Sequence, residues 1–164
     1  MKHILGIDPG LAETGFGIIG VQANTFTPVY HACVKTPAAM PTGERLKRIY
    51  DETIQILQTY KIGEAGIESL YFAKNITSAL PVAQARGVVL LALQQHGIAA
   101  AEYTPAAIKM ALVGYGKADK QQIQQMVCVI LGMTQKPATS HAADALAAAI
   151  CHANTTACTQ KIQG

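Results

Sequence analysis

The stretch Ile4-Leu5-Gly6-Ile7-Asp8-Pro9-Gly10-Leu11-Ala12-Glu13-Thr14-Gly15-Phe16-Gly17-Ile18-Ile19-Gly20-Val21 sets the fold. Two runs of apolar residues and glycine, Ile4 to Ile7 and Gly15 to Val21, flank the turn-forming Asp8-Pro9-Gly10, which is the pattern of an antiparallel hairpin. A third strand is expected from about Pro28 to Thr36. Beyond it, Leu46, Ile49, Ile54, Leu57 and Tyr60 recur at roughly helical spacing, giving an amphipathic helix that ends near Gly63. Ala65-Gly66-Ile67-Glu68 is short and glycine-bounded, so it reads as a buried strand that ends on a carboxylate.

The remaining chain alternates in the same way. Thr77 or Ser78 is expected to cap a helix with Pro81 in its first turn, running on through Val82 to Gln95 and stopped by Gly97. A strand from Ile98 to Tyr103, a helix from about Pro105 to Leu112, the loop Gly114-Tyr115-Gly116, a helix from about Ala118 to Leu131 and a last helix from Ser140 to about Ala153 follow. Strands clustered early and then interleaved with helices indicate an α/β fold: a mixed sheet of about five strands with helices packed on both faces. One domain over residues 1–154 is expected, with 155–164 a disordered tail.

Composition narrows the class. The 164 residues are 50% hydrophobic, enough to bury a core without disulfides or a structural metal. No apolar run approaches the roughly 18 to 20 residues of a membrane span, and the first one reaches Asp8 too soon for a signal segment. Cys33, Cys128, Cys151 and Cys158 form no CxxC pair and read as buried free thiols in a reducing, cytoplasmic setting. A net charge of +3 permits a polyanionic partner without demanding one.

Asp8 and Glu68 each end an apolar strand, where an unpaired charge is costly unless solvent or cations compensate it. His141 and Asp144, spaced i and i+3, share one face of the last helix above a stem of Ala142, Ala143, Ala145, Ala147 and Ala148. Three carboxylates brought together call for divalent cations with oxygen ligands, Mg²⁺ by default, and paired metals suit phosphodiester hydrolysis. Taken singly, each residue has a plainer reading: Asp8 as a turn former, Glu68 as a loop cap, His141 as a helix N-terminal residue.

Other residues suggest a nucleic-acid surface. Tyr71, Phe72 and Lys74 after Glu68 set aromatics beside a cation, suited to base stacking and phosphate contact, although alternate core and surface positions explain the pair equally. Lys109, Lys117 and Lys120 surround the glycine loop and could neutralise phosphates, or simply be solvated. Arg86 lies in a helix whose Val82, Val88, Val89, Leu90, Leu91 and Leu93 make it apolar around much of its circumference, as a dimer interface or a central core helix requires.

Gly6-Ile7-Asp8-Pro9-Gly10 with Thr14-Gly15-Phe16-Gly17, Glu68 before Ala73-Lys74-Asn75, Gln84-Ala85-Arg86-Gly87 and Ala143-Asp144-Ala145-Leu146-Ala147 together resemble the RuvC family of Holliday junction resolvases, in order from about Ile4 to His152. The resemblance implies an RNase H-like fold and a homodimer that nicks two strands of a four-way junction symmetrically. It also implies two Mg²⁺ or Mn²⁺ ions per subunit on Asp8, Glu68, His141 and Asp144, a base-stacking role for Tyr71, DNA contact by Lys109 and Lys120, and a RuvA–RuvB branch-migration motor as partner. Many members carry Asp where this chain has His141; imidazole suits Mn²⁺ better than Mg²⁺, so a stronger Mn²⁺ preference than in an all-carboxylate relative is expected. Leu11-Ala12-Glu13 also departs from the family, which commonly has a small polar residue and arginine there. Two other classes compete: an actin- or hexokinase-like ATPase, which needs two lobes, and a junction-binding module without catalysis.

Overall fold

Alternation along the first two strands divides the molecule into two cores. In the computed structural model, which describes residues 1–23, 25–69 and 76–163, β1 (Lys2–Asp8) pairs antiparallel with β2 (Glu13–Gln22), and β2 with β3 (Thr25–Lys35). After helix α1 (Thr42–Thr59), β4 (Ile62–Glu68) joins the other side of β1 in parallel. Helix α2 (Ile76–Gln95) then leads to β5 (Ala100–Tyr103), parallel to β4, so the sheet order is β3-β2-β1-β4-β5. Helices α3 (Pro105–Val113), α4 (Lys120–Leu131) and α5 (Ser140–Gln163) complete the chain.

Leu5, Ile7, Phe16, Ile18 and Ile67 face a core closed by Ile49, Ile56, Val89 and Leu93 of α1 and α2. Ile4 and Ile19 face the opposite core, with Ile108, Val127, Leu146 and Ile150 of α3, α4 and α5. The period-two switch between neighbours in one strand is what a sheet covered on both sides requires, and the expected α/β architecture of five strands is the one observed.

On the α5 face a row of glycines crosses three strands: Gly17 of β2 is paired with Gly6 of β1, and Gly6 with Gly66 of β4. A Cβ on Gly6 would collide with the carbonyl oxygen of Ala145, one on Gly17 would stand 2.7 Å from the Leu146 nitrogen, and one on Gly66 2.9 Å from the Ala148 oxygen. Helix α5 meets this trough with Ala142, Ala145, Ala148 and Ala149, all buried, so its backbone lies almost directly on the sheet. Farther along, buried His152 donates from Nε2 to Glu64 Oε2 (3.0 Å) and accepts the Tyr103 hydroxyl at Nδ1 (2.8 Å), with Lys2 paired to the same Glu64.

Four expectations are corrected. Helix α2 begins at Ile76, so Pro81 falls in its second turn, where the missing N–H leaves the ladder one donor short; burial of Ala85, Val89, Ala92 and Leu93 along one face outweighs that loss. Helix α5 does not stop near Ala153 but continues to Gln163, no glycine or proline interrupting the run, and the Thr155 and Thr156 hydroxyls return to the Cys151 and His152 carbonyls along it. Of the four free cysteines only Cys151 is buried, Cys158 being exposed. Helix α4 starts at Lys120 rather than Ala118 because Asp119 and Gln122 form a reciprocal capping box.

Gly6→Ala is expected to lower the unfolding free energy by about 3 kcal/mol or more, since neither backbone can retreat. Gly43→Ala, where the added Cβ meets nothing within 4 Å, is expected to leave it unchanged or raise it slightly, and urea unfolding compares the two.

Candidate active site

The last residues of β1 and β4 are adjacent because those strands run parallel with Ile7 opposite Ile67. Asp8 and Glu68 come next in each strand and share the α5 face with Gly6 and Gly66 by period two. Above them lies the first turn of α5, where the Thr139 hydroxyl accepts the Ala142 N–H at 3.2 Å. His141 Nδ1 donates to Asp8 Oδ2 at 2.7 Å, and one ligand atom from each of Asp8, His141 and Asp144 lies within 4.8 Å of the others. Glu68 stands just outside that trio. It lines one cavity with Asp8, Pro9, Gly10 and His141, and another with Asp144, Lys109, Lys120 and the apolar Pro105, Ile108 and Ile123.

The cluster is short of positive charge. Burial first, then the carboxylates of Asp8 and Asp144, push the Glu68 carboxyl up to about 7, against a smaller pull from Lys120 and Lys109. Burial also raises Asp144, although Lys120 holds its carboxylate at 3.1 Å. The hydrogen bond to Asp8 raises His141. Hard carboxylate oxygens with one imidazole, mutually repelling and partly compensated by a lysine, fit a divalent cation of the Mg²⁺ or Mn²⁺ kind.

Not every expected residue comes to this place. Lys109 and Lys120 stand at its rim, whereas Lys117 is exposed on the connection between α3 and α4 and lines neither cavity. Arg86 of α2 lines neither cavity: its guanidinium pairs with Glu102 of β5, and its Nε is buried without a hydrogen-bond partner among the described residues. Tyr71, Phe72 and Lys74 lie outside the described residues. Glu13, noted in the sequence only as a departure from a family pattern, reaches His141 Nε2 with Oε2 at 3.2 Å and Lys35 Nζ with Oε1 at 3.1 Å. Lys35 is its cross-strand partner and holds its carboxyl below the ordinary range.

The sequence matches the family model described as crossover junction endodeoxyribonuclease RuvC over residues 4–152. The chain belongs to the RuvC family. It is 50% identical over 151 residues to the RuvC of Treponema denticola, covering 92% of this chain and 85% of that one. The structure of Thermus thermophilus RuvC superposes with a TM-score of 0.89 at 32% identity, covering 96% of this chain and 97% of that chain. The same protein in complex with Holliday junction substrate gives 0.88 at 31% identity. RuvC membership removes the ATPase reading and makes this chain a nuclease with an RNase H-like fold.

The raised Glu68 carboxyl has a signed consequence for stability. Between pH 4.5 and about 7 the folded chain keeps a proton that the unfolded chain has released, so metal-free stability falls as pH rises through that window. Glu68→Gln in EDTA is therefore expected to be more stable than the parent by about 2 kcal/mol at pH 8 and equal to it near pH 4. Urea unfolding at both pH values measures the difference.

Proposed function

We propose that this chain is a structure-selective endonuclease that resolves four-way DNA junctions by paired, metal-dependent phosphodiester hydrolysis in recombination and repair. The observation that carries the reading is the charge-frustrated set of Asp8, Glu68, His141 and Asp144 at one sheet edge, rimmed by Lys109 and Lys120, in a chain of this family. Those four side chains are the proposed ligands of two Mg²⁺ ions, with Mn²⁺ accepted or preferred because one ligand is an imidazole. Bound divalent ions supply an activated water and stabilisation of the leaving oxygen. The chain itself supplies position: the strand ends fix Asp8 and Glu68, the first turn of α5 fixes His141 and Asp144, and the Lys120 ammonium, which neutralises Asp144 in the metal-free protein, becomes available to a phosphate once cations take over that carboxylate.

Lys109, Lys117 and Lys120 are proposed to neutralise DNA phosphates, with Tyr71, Phe72 and Lys74 adding base stacking and a further phosphate contact. Arg86, paired to Glu102 in the DNA-free chain, is proposed as a further phosphate contact. Residues 1–154 act as the nuclease domain in this proposal, in the cytoplasm and in concert with a RuvA–RuvB motor. No helix among the described residues is long and apolar enough to cross a membrane.

A homodimer brings two such sites to one junction, and α2 offers the contact. Leu80 and Leu91 are 61% and 54% exposed, Gln84 and Gly87 complete the same stripe, and a Cβ on Gly87 would meet nothing within 4 Å. Leu91→Lys is expected to convert a dimer into a monomer in light scattering after gel filtration while leaving the circular dichroism spectrum unchanged.

Cleavage itself is tested with a labelled synthetic four-way junction and a matched duplex in Mg²⁺, Mn²⁺ or EDTA. The expected result is symmetric nicking of the junction alone, absent in EDTA and reduced at least about 100-fold in Asp8→Asn, more than loss of an outer-sphere partner costs. Tight junction binding with no cleavage in either metal would instead assign the chain to non-catalytic junction binding.

A further inference from the structure

A metal-ligating imidazole uses one nitrogen for the ion and carries its proton on the other, and whatever accepts that proton fixes the tautomer and the plane of the ring. In His141 the two nitrogens face different carboxylates. Nδ1 is turned to Asp8 at 2.7 Å, inside the acidic cluster, and Nε2 is turned to Glu13 Oε2 at 3.2 Å, outside it. Occupation of the cluster by a cation removes the reason for the first hydrogen bond, because Asp8 and His141 then serve the same ion. The second is the one that can persist.

Glu13 is well placed to hold that proton. It opens β2 directly after the hairpin turn, which the buried Thr14 hydroxyl closes by donating to the Gly10 carbonyl at 2.6 Å. Its other carboxylate oxygen is held at 3.1 Å by Lys35, its register partner on β3, and the Cys33 thiol approaches Oε2 at 3.9 Å. The carboxylate is thus carried by a strand end and steadied from β3, and it points at the first turn of α5 from the side opposite Asp8. His141 supplies no negative charge of its own, and Glu13 returns a carboxylate to the site one bond farther out.

We propose that Glu13 is a positioning residue for the metal site: it accepts the His141 Nε2 proton, thereby presenting Nδ1 to the ion. This rests on the reading of His141 as a ligand given above. The competing account is that Glu13 is a cross-strand partner of Lys35 whose nearness to His141 has no consequence.

The experiment uses the full chain, with Mn²⁺ affinity measured by calorimetry in the parent, Glu13→Ala, Glu13→Gln and His141→Ala, and with ¹H–¹⁵N spectra of the histidine side chains in the Mg²⁺-loaded protein. Glu13→Ala is expected to weaken Mn²⁺ binding by about 10- to 100-fold, and Glu13→Gln, which keeps an acceptor oxygen, to recover most of it. In the parent the His141 proton should reside on Nε2, and in Glu13→Ala that signature should give way to mixed tautomers. Unchanged affinity in Glu13→Ala beside a loss in His141→Ala overturns the proposal and leaves His141 as a ligand that needs no such partner. Unchanged affinity in His141→Ala overturns the ligand reading itself and the proposal with it. Where Glu13→Ala does not fold, the parent spectrum still decides: a proton on Nδ1 in the Mg²⁺-loaded chain overturns the proposal.

Discussion

The close approach of α5 to the sheet is the contact on which the rest of the molecule depends. Gly17, Gly6 and Gly66 lie side by side across three strands, and the alanines of α5 settle into the trough they leave. Helix and sheet with ordinary side chains between them stand about 10 Å apart, and the glycine row lets α5 sit closer than that. Removing every Cβ from the row brings the helix down until His141 touches Asp8, and the same trough closes the apolar core around Leu146 and Ile150. Packing and chemistry therefore make one demand on the same residues.

The resulting site is built against its own electrostatics. Glu68 and Asp144 are both held above their ordinary carboxyl range by burial and by neighbouring charge, which costs the metal-free protein stability. The Lys120 ammonium on Asp144 and the His141 ring hydrogen-bonded to Asp8 are the internal partners that keep the arrangement tolerable.

What the sequence disclosed follows from what is local. Strand alternation and the hairpin turn are properties of neighbouring residues, and they sufficed to set Asp8 and Glu68 at strand ends and to predict a covered five-stranded sheet. The i, i+3 spacing of His141 and Asp144 above an alanine stem likewise required only one helix. Glu13 was invisible because its contact joins a strand end to a helix far along the chain, and no spacing encodes that. The ion pair of Arg86 with Glu102 was hidden for a related reason: its partner sits on another element, so it does not show when α2 is read alone. The end of α5 was misplaced because polar composition after Asn154 suggested fraying, whereas the run to Gln163 holds no glycine or proline to break it.

The pairing of His152 with Glu64 and Tyr103 gives α5 a second support. Asp144 and His152 are eight residues apart, about 12 Å along the helix axis. Geometry then makes the helix a beam resting on two bearings: a tilt of about 5° at the His152 end displaces Asp144 by about 1 Å, a misplacement that costs an enzyme on the order of 100-fold in rate. The placement of the Asp144 end is thus set partly by contacts that α5 makes with β4 and β5 about 12 Å farther along its axis.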